Sequence, residues 1–441
     1  MLTKQQTQAL ISLIKHQVIP AIGCTEPMAV ALCTARATEL LGSRPEKINV
    51  QLSPNILKNA MGVGIPGTGM IGLPIAIALG AIIGKSKYQL QVLKDLTPET
   101  LAQAKQFVAE NRIQIQLAPN PCDLLYIQVT CHAAGKQQTA IIEHTHTHFR
   151  EGVQGVQEVQ GVQDNSHATP TDNGNVLDSL DSLNSLNSLN LKLVYDFASQ
   201  TPVQDLRFIL KTQELNIAAA RQALRHNYGH NLGKTIQQPL AKHIFGNTIH
   251  SRIIANTAAA CDARMGGAPI PVMANSGSGN QGICATNPVA IYAQENHNTQ
   301  EELIRALTLS HLTAIYIKQS LGPLSALCGC VVAGIGASVG ITYLMGGNYN
   351  HICAAVKNMI ANLTGMLCDG AKPSCALKIA SGVSTALISA VLAIQGISVS
   401  SNEGIVDDSV DKTIQNLTTI GAHAMSQTDH MILQIMTHKN Q

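Results

Sequence analysis

The chain has 441 residues, 45% of them hydrophobic, and its 29 basic and 27 acidic side chains leave a formal charge of +2. That is enough apolar material for a sizeable core and for two domains, which excludes a tail or a fibre. No run of like charge marks a nucleic-acid or anionic-membrane footprint, and a tryptophan-free chain with 3% aromatic residues is poorly equipped to stack bases. The partner expected is a small molecule, with no nucleic acid and no membrane.

The chain opens with a helix, because Leu10, Ile11, Ile14 and Val18 recur at helical spacing. "IGCTEP" interrupts it and "MAVALCTARATELLG" resumes a helix ending at Gly42. Cys24 falls in the break, where Thr25 can cap and Pro27 can occupy the first turn, and a thiol at a helix N-terminus ionises more readily. From Lys47 the period changes to two: "INVQLS", "YQLQVL", "IQIQLA" and "LLYIQVT" read as half-buried strands, with a Thr97-capped helix inserted at "TPETLAQAKQFVAEN". "QTAIIEHTHTHF" closes this region as a strand with His144, His146 and His148 on one face. An exposed strand end is favoured over a metal site there, since no carboxylate or cysteine pattern flanks the three histidines.

Residues 151–190 are low in complexity ("GVQGVQEVQGVQ", then "DSLDSLNSLNSLN") and read as a disordered, dispensable surface insert. Beyond them come helices separated by glycine-rich turns. The fold class predicted is α+β: N-terminal helices over 1–44 packing on the catalytic domain, a small α+β domain over 45–150, the insert, and a larger, mostly α-helical catalytic domain over 191–441. Three stretches, 59–84, 319–356 and 379–402, carry no Asp, Glu, Lys or Arg and exceed the ~20 residues that span a bilayer. Their Gly, Ser, Thr and Asn content favours buried helices and loops, and a membrane-embedded binding or transport protein is the alternative they raise.

Two glycine patterns, Gly62-Val-Gly64-Ile-Pro-Gly67 and Gly277-Ser-Gly279-Asn-Gln-Gly282, match the dinucleotide fingerprint by letter only. Neither has a well-placed acidic residue about 20 positions on, and the first has Pro66 inside the turn. "NSGSGNQG" offers donors from Asn275, Ser276, Ser278 and Asn280 and suits a small carboxylate; a plain structural turn fits its composition equally well. No nucleophile elbow and no C-x-x-C pair occurs, which leaves Cys328, Cys330, Cys368 and Cys375 as a soft thiolate set. Eleven cysteines in a chain without a secretory start point to a reducing cytoplasm, where thiols remain ligands or catalysts. Three thiolates suit an iron–sulfur cluster with one iron left open as a Lewis acid, although buried packing cysteines are common and account for about half of the eleven.

"AIGCTEP", "MANSGSGNQG", "LSALCGCVVAGIGASVG" and "GMLCDGAKPSCALK" occur in this order and resemble the L-cysteine desulfidase family, which is related to the α subunit of iron–sulfur L-serine dehydratases. The resemblance spans the chain except residues 151–190. It implies a lyase without pyridoxal phosphate, a 4Fe-4S cluster on Cys328, Cys368 and Cys375, and Cys24 as an active-site thiol and candidate base. Cys330 remains an alternative to Cys328. It also implies "NSGSGNQG" as the carboxylate cradle, with "GIPGTG" as a second contributor, L-cysteine as substrate with L-serine as the alternative, and a homodimer.

Overall fold

The computed structural model describes residues 2–119, 122–150, 189–322 and 325–438; the low-complexity insert lies outside the described residues but for its last two. In chain order the first half runs α1 (Lys4–Gln17), β1 (Pro20–Ile22), α2 (Thr25–Leu41), β2 (Lys47–Leu52), α3 (Pro54–Ala60), α4 (Leu73–Ile83), α5 (Pro98–Ala109), β3 (Ile113–Leu117), β4 (Tyr126–Ala133) and β5 (Lys136–Glu143). The second half runs α6 (Leu191–Gln200), α7 (Val203–Leu206), α8 (Leu210–Arg225), α9 (Leu232–Ile236), α10 (Pro239–Phe245), α11 (Ile249–Met265) and β6 (Pro271–Met273). It closes with α12 (Gly279–Glu295), α13 (Gln300–Leu321), α14 (Gly329–Leu344), α15 (Tyr349–Leu363), α16 (Cys375–Ile394), α17 (Val410–Thr419) and α18 (Ser426–Thr437). The fold is α+β, with a small sheet and a larger helical region.

The described chain forms two compact units. The smaller comprises Glu26–Leu57 and Leu73–Ser188, and its four-stranded sheet has the order β3-β2-β4-β5, parallel only between β2 and β3. Alternation does what the sequence asks of it: Ile48, Val50 and Leu52 of β2 and Ile127, Val129 and Cys131 of β4 are buried on one face. Helix α2 covers that face, with Cys33 Sγ donating to the Ala140 carbonyl at 3.3 Å. Burial, reinforced by Cys131, drives the Cys33 thiol far above its usual range, so this cysteine packs.

Two predicted strands are corrected. "YQLQVL" forms a 3₁₀ turn over Ser86–Gln91, in which Gln89 has φ +52. The turn buries the adjacent pair Val92 and Leu93 together, which a strand sends to opposite faces. β5 ends at Glu143, because His144 takes φ +66 and the chain folds back so that the Glu143 N–H reaches the His148 carbonyl at 3.1 Å. The three histidines therefore do not share a strand face. His144 pairs with Asp123 instead.

The larger unit comprises Met1–Thr25, Lys58–Gly72 and Leu189–Gln441. Helix α14 is its axis, packed on α12, α13, α15 and α16. It is apolar or small on every side and buried almost throughout, as a helix with neighbours all round must be. β1 pairs antiparallel with β6 (Pro20 opposite Met273, Ile22 opposite Pro271). The Ala274 N–H to Ile19 carbonyl and the Ser276 N–H to Gln17 carbonyl extend this stitch at 2.8 and 3.0 Å. Of the three uncharged stretches, 59–84 is broken by turns before α4, and 319–356 is divided among α13, α14 and α15. Among the described residues α16 alone is long and apolar enough to cross a bilayer, by length and composition.

Candidate functional site

Of the four cysteines in "LCGC", "MLCDG" and "PSC", Cys328 and Cys368 are brought to one clip by backbone before any side chain acts. The Cys328 N–H donates to the Met366 carbonyl at 2.9 Å and the Cys368 N–H to the Ala326 carbonyl at 2.6 Å, with Leu327 opposite Leu367. This short antiparallel clip puts Cys328 opposite Met366 and Cys368 opposite Ala326, so the two cysteines lie diagonally across it. Cys328 is the N-cap of α14 and Cys375 the first residue of α16, so two of the thiols stand at helix N-termini, where the dipole favours a thiolate.

Cys328 and Cys330 have different roles. Cys330 Sγ donates to Cys328 Sγ at 3.3 Å and also lies 3.0 Å from Met366 Sδ and 3.6 Å from the Lys378 carbonyl. The Cys330 hydrogen bond, a backbone amide and Lys378 pull the Cys328 thiol down to about 7 against its burial, while Cys330 as donor is pushed well up. Burial raises Cys375 to about 11, with Cys328 and Cys368 adding to it, and burial together with Cys328 raises Cys368. The three thiols thus share one electrostatic environment. Lys58 and Lys378 temper it, Lys58 held by Asp429 and Lys378 by Asp369, which it shares with Lys372.

Cys24 is buried, at 4% exposure, immediately before α2. The loop between α3 and α4 ties its backbone to the thiol set. A Cβ on Gly23 would stand 2.6 Å from Pro66, and one on Gly62 would stand 3.2 Å from the Ala371 carbonyl, in the turn between Cys368 and Cys375. The same loop reaches the end of α11, where the Gly64 N–H donates to the Met265 carbonyl at 2.9 Å and the Gly67 N–H to Gly267 at 3.1 Å. The loop from Gly62 through "GIPGTG" is therefore a hub between the Cys24 segment, the cysteine turn and α11.

"NSGSGNQG" is both a turn and a helix start. Ser276 at φ +47 and Gly277 at φ +77 form its tip, and Ser278 caps α12 by accepting the Gln281 N–H at 3.3 Å. Asn275 is fully buried and committed to the α13 histidine His311, with Nδ2 3.0 Å from Nδ1. Ser276 Oγ donates to Asn275 Oδ1 at 2.9 Å. Asn280 Oδ1 accepts from Arg264 Nη1 at 3.2 Å and from Cys261 Sγ at 3.6 Å.

Several groups here were not singled out in the sequence. Arg264, 4% exposed, lies against Gly279. Gln281 packs on Gly329 beside Cys328. Burial lowers the Lys318 ammonium of α13 to about 8, against the pull of Cys368. One signal was available: a lone arginine inside the alanine-rich "TAAACDARMGG" contradicts a purely apolar helix. Among the described residues no three His, Cys, Asp or Glu side chains gather around one point as the ligands of a single ion do. A multi-iron cluster asks for another arrangement, one thiolate on each of several irons.

The profile of the family described as "Serine dehydratase alpha chain" matches residues 87–434, more than half of the chain. The chain belongs to that family. The serine dehydratase alpha chain match contains the 275–280 turn, Arg264 and all three predicted cluster cysteines, while Cys24 precedes it. Full-length similarity extends further. A UPF0597 protein of Phocaeicola vulgatus is 58% identical over 440 residues, covering 100% of this chain and 99% of the relative. A UPF0597 protein of Bacteroides fragilis is 57% identical over 438 residues (99% and 100%), and one of Photobacterium profundum 43% identical over 430 (97% and 98%).

Proposed function

We propose that this protein is a cytoplasmic, homodimeric carbon–sulfur lyase that converts L-cysteine to pyruvate, ammonia and sulfide with a 4Fe-4S cluster held by Cys328, Cys368 and Cys375. The observation that carries the reading is the clip between residues 326–328 and 366–368, which joins two thiols on backbone and leaves the third at the start of α16. The donor set fits the group: the thiols act on one another's ionisation, two lysines lie close enough to offset thiolate charge, and two polar atoms at the start of α12, Arg264 Nε and Gln281 Oε1, are buried without a partner among the described residues. Cys328 suits ligation better than Cys330, whose Sγ is already turned to Cys328 and Met366 from inside the helix.

The cluster, when bound, supplies an open iron as Lewis acid for the leaving heteroatom. The rest falls to the chain. Cys24, at the N-terminus of α2, is the proposed base for the substrate Cα proton. The α12 turn, with Asn275, Ser276, Ser278 and Asn280, orients the carboxylate through the helix-start N–H groups of Gly279 and Asn280, because the Asn275, Ser276 and Asn280 side chains and the Asn275, Ser276 and Ser278 N–H groups are already bonded. Burial of Cys24 and of the α12 start keeps water from the proton transfer.

The family description favours a second reading, L-serine deamination by the same chemistry with water as leaving group. Anaerobically purified protein given each amino acid in turn decides between them. Sulfide release from L-cysteine at a kcat/KM well above that for pyruvate formation from L-serine is expected. The reverse order assigns the protein as a serine dehydratase.

A further inference from the structure

Buried arginines are held by carboxylates or by several carbonyls, because an uncompensated guanidinium is costly to desolvate. Arg264 has neither. Among the described residues it forms no ion pair; Nη1 meets only the amide oxygen of Asn280 at 3.2 Å and the Met265 sulfur at 4.0 Å, and Nε has no hydrogen-bond partner. The guanidinium lies so close to Gly279, the first residue of α12, that a Cβ there would overlap it. A positive side chain and a helix N-terminus thus act on the same spot, and both attract an anion. One turn of the same helix holds a complementary orphan: Gln281 is 3% exposed, its Oε1 accepts from no donor among the described residues, and its side chain packs on Gly329 next to Cys328. Arg264 Nε from α11 and Gln281 Oε1 in the first turn of α12, a buried donor and a buried acceptor both left unpaired at this helix start, match the two charged ends of an α-amino acid.

We propose that Arg264 takes the α-carboxylate and Gln281 the α-ammonium of the substrate, a clamp that selects zwitterionic amino acids over other thiols. It rests on the lyase reading above. The guanidinium gives a planar fork for the carboxylate, and the neutral Gln281 carbonyl accepts from the ammonium without placing a second negative charge beside the thiolates. The placement is economical for specificity, since a site whose buried polar groups are left unpaired rejects ligands that lack the matching group.

The test uses two half-substrates as inhibitors of the anaerobic holoenzyme: 3-mercaptopropionate, which has the carboxylate and no amine, and cysteamine, which has the amine and no carboxylate. Arg264→Gln should weaken 3-mercaptopropionate about 10- to 100-fold and leave cysteamine within about twofold; Gln281→Met should do the reverse. Arg264→Lys keeps the charge and loses the fork, and it should fall between wild type and Arg264→Gln. It also stands in should the neutral variant not fold. Equal loss of both probes in either variant, no loss in either, or Arg264→Lys binding 3-mercaptopropionate as wild type does overturns the clamp. A fall in iron content or visible absorbance in Arg264→Gln, with probe affinity intact, overturns it too, because Arg264 would then balance cluster charge. If wild-type protein turns over neither L-cysteine nor L-serine, the lyase reading fails; the probes, read by ligand-induced thermal shift, still decide the clamp.

Discussion

At the residue scale, His311 shows how a charge can be excluded to hold a site. It is fully buried in α13 with Nδ1 3.0 Å from the Asn275 amide and Nε2 3.0 Å from Thr286 Oγ1, and burial drives its pKa down to about 3. The folded protein therefore binds fewer protons here than the unfolded chain between pH 3 and about 6.5, so His311's stabilising contribution is complete above 6.5 and declines on acidification. The slope has an upper bound of about 1.4 kcal/mol per pH unit. Asp262 works in the opposite sense: burial raises its carboxyl to about 6 despite hydrogen bonds from the Gly233 and His230 amides, so its contribution improves as pH falls through 6. Because Asp262 acts alike in both proteins, urea denaturation at pH 6.5 and pH 5 should show His311→Asn gaining about 1–2 kcal/mol relative to wild type on acidification. A wild-type slope retained in the variant refutes the assignment. Neither titration was legible in the sequence, because a histidine in "LTLSHLTAI" declares its helix but not its burial. The cysteines were more legible: unusual turn residues around Cys368 and Cys375 and a helix break at Cys24 are local features. Arg264 and Gln281 become functional candidates only once the helices that enclose them are placed.

At the element scale, long strongly periodic helices were read correctly, as with α1, α2 and α5. Errors fell where a short pattern has two physical meanings. "YQLQVL" alternates, yet six residues of alternation also fit a turn that buries two neighbours, and the tertiary context chose the turn. β1 and β6, three residues each, lie below any periodic signal, although their pairing brings the Cys24 segment to the α12 turn. The uncharged stretches owe their small residues to close helix packing. A side chain on Gly336 of α14 would collide with the Ser310 carbonyl of α13. Gly336→Ala should therefore cost about 1–3 kcal/mol in chemical denaturation, the usual range for overpacking. Denaturation midpoints matching wild type would show that these helices are not in close backbone contact.

At the scale of the whole molecule, the larger unit is assembled from three separated chain segments. Cys24 comes from the first, the glycine hub from the second and the proposed ligand thiols from the third, a gathering that spacing along the chain cannot reveal. The α+β class was accessible because period-two and period-3.6 patterns occupy different regions; the division into units was not, since residues 58–72 read locally as a loop of the small domain. The account depends on the thiols of that third segment holding iron for catalysis. The most direct test is iron and acid-labile sulfide per chain in anaerobically purified wild type and Cys368→Ser, with L-cysteine and L-serine turnover measured on the same samples. About four irons and four sulfides with lyase activity in wild type, and loss of both in the variant, is the expected result. Iron-free wild-type protein with full turnover, or a Cys368→Ser variant that keeps cluster and activity, would contradict it.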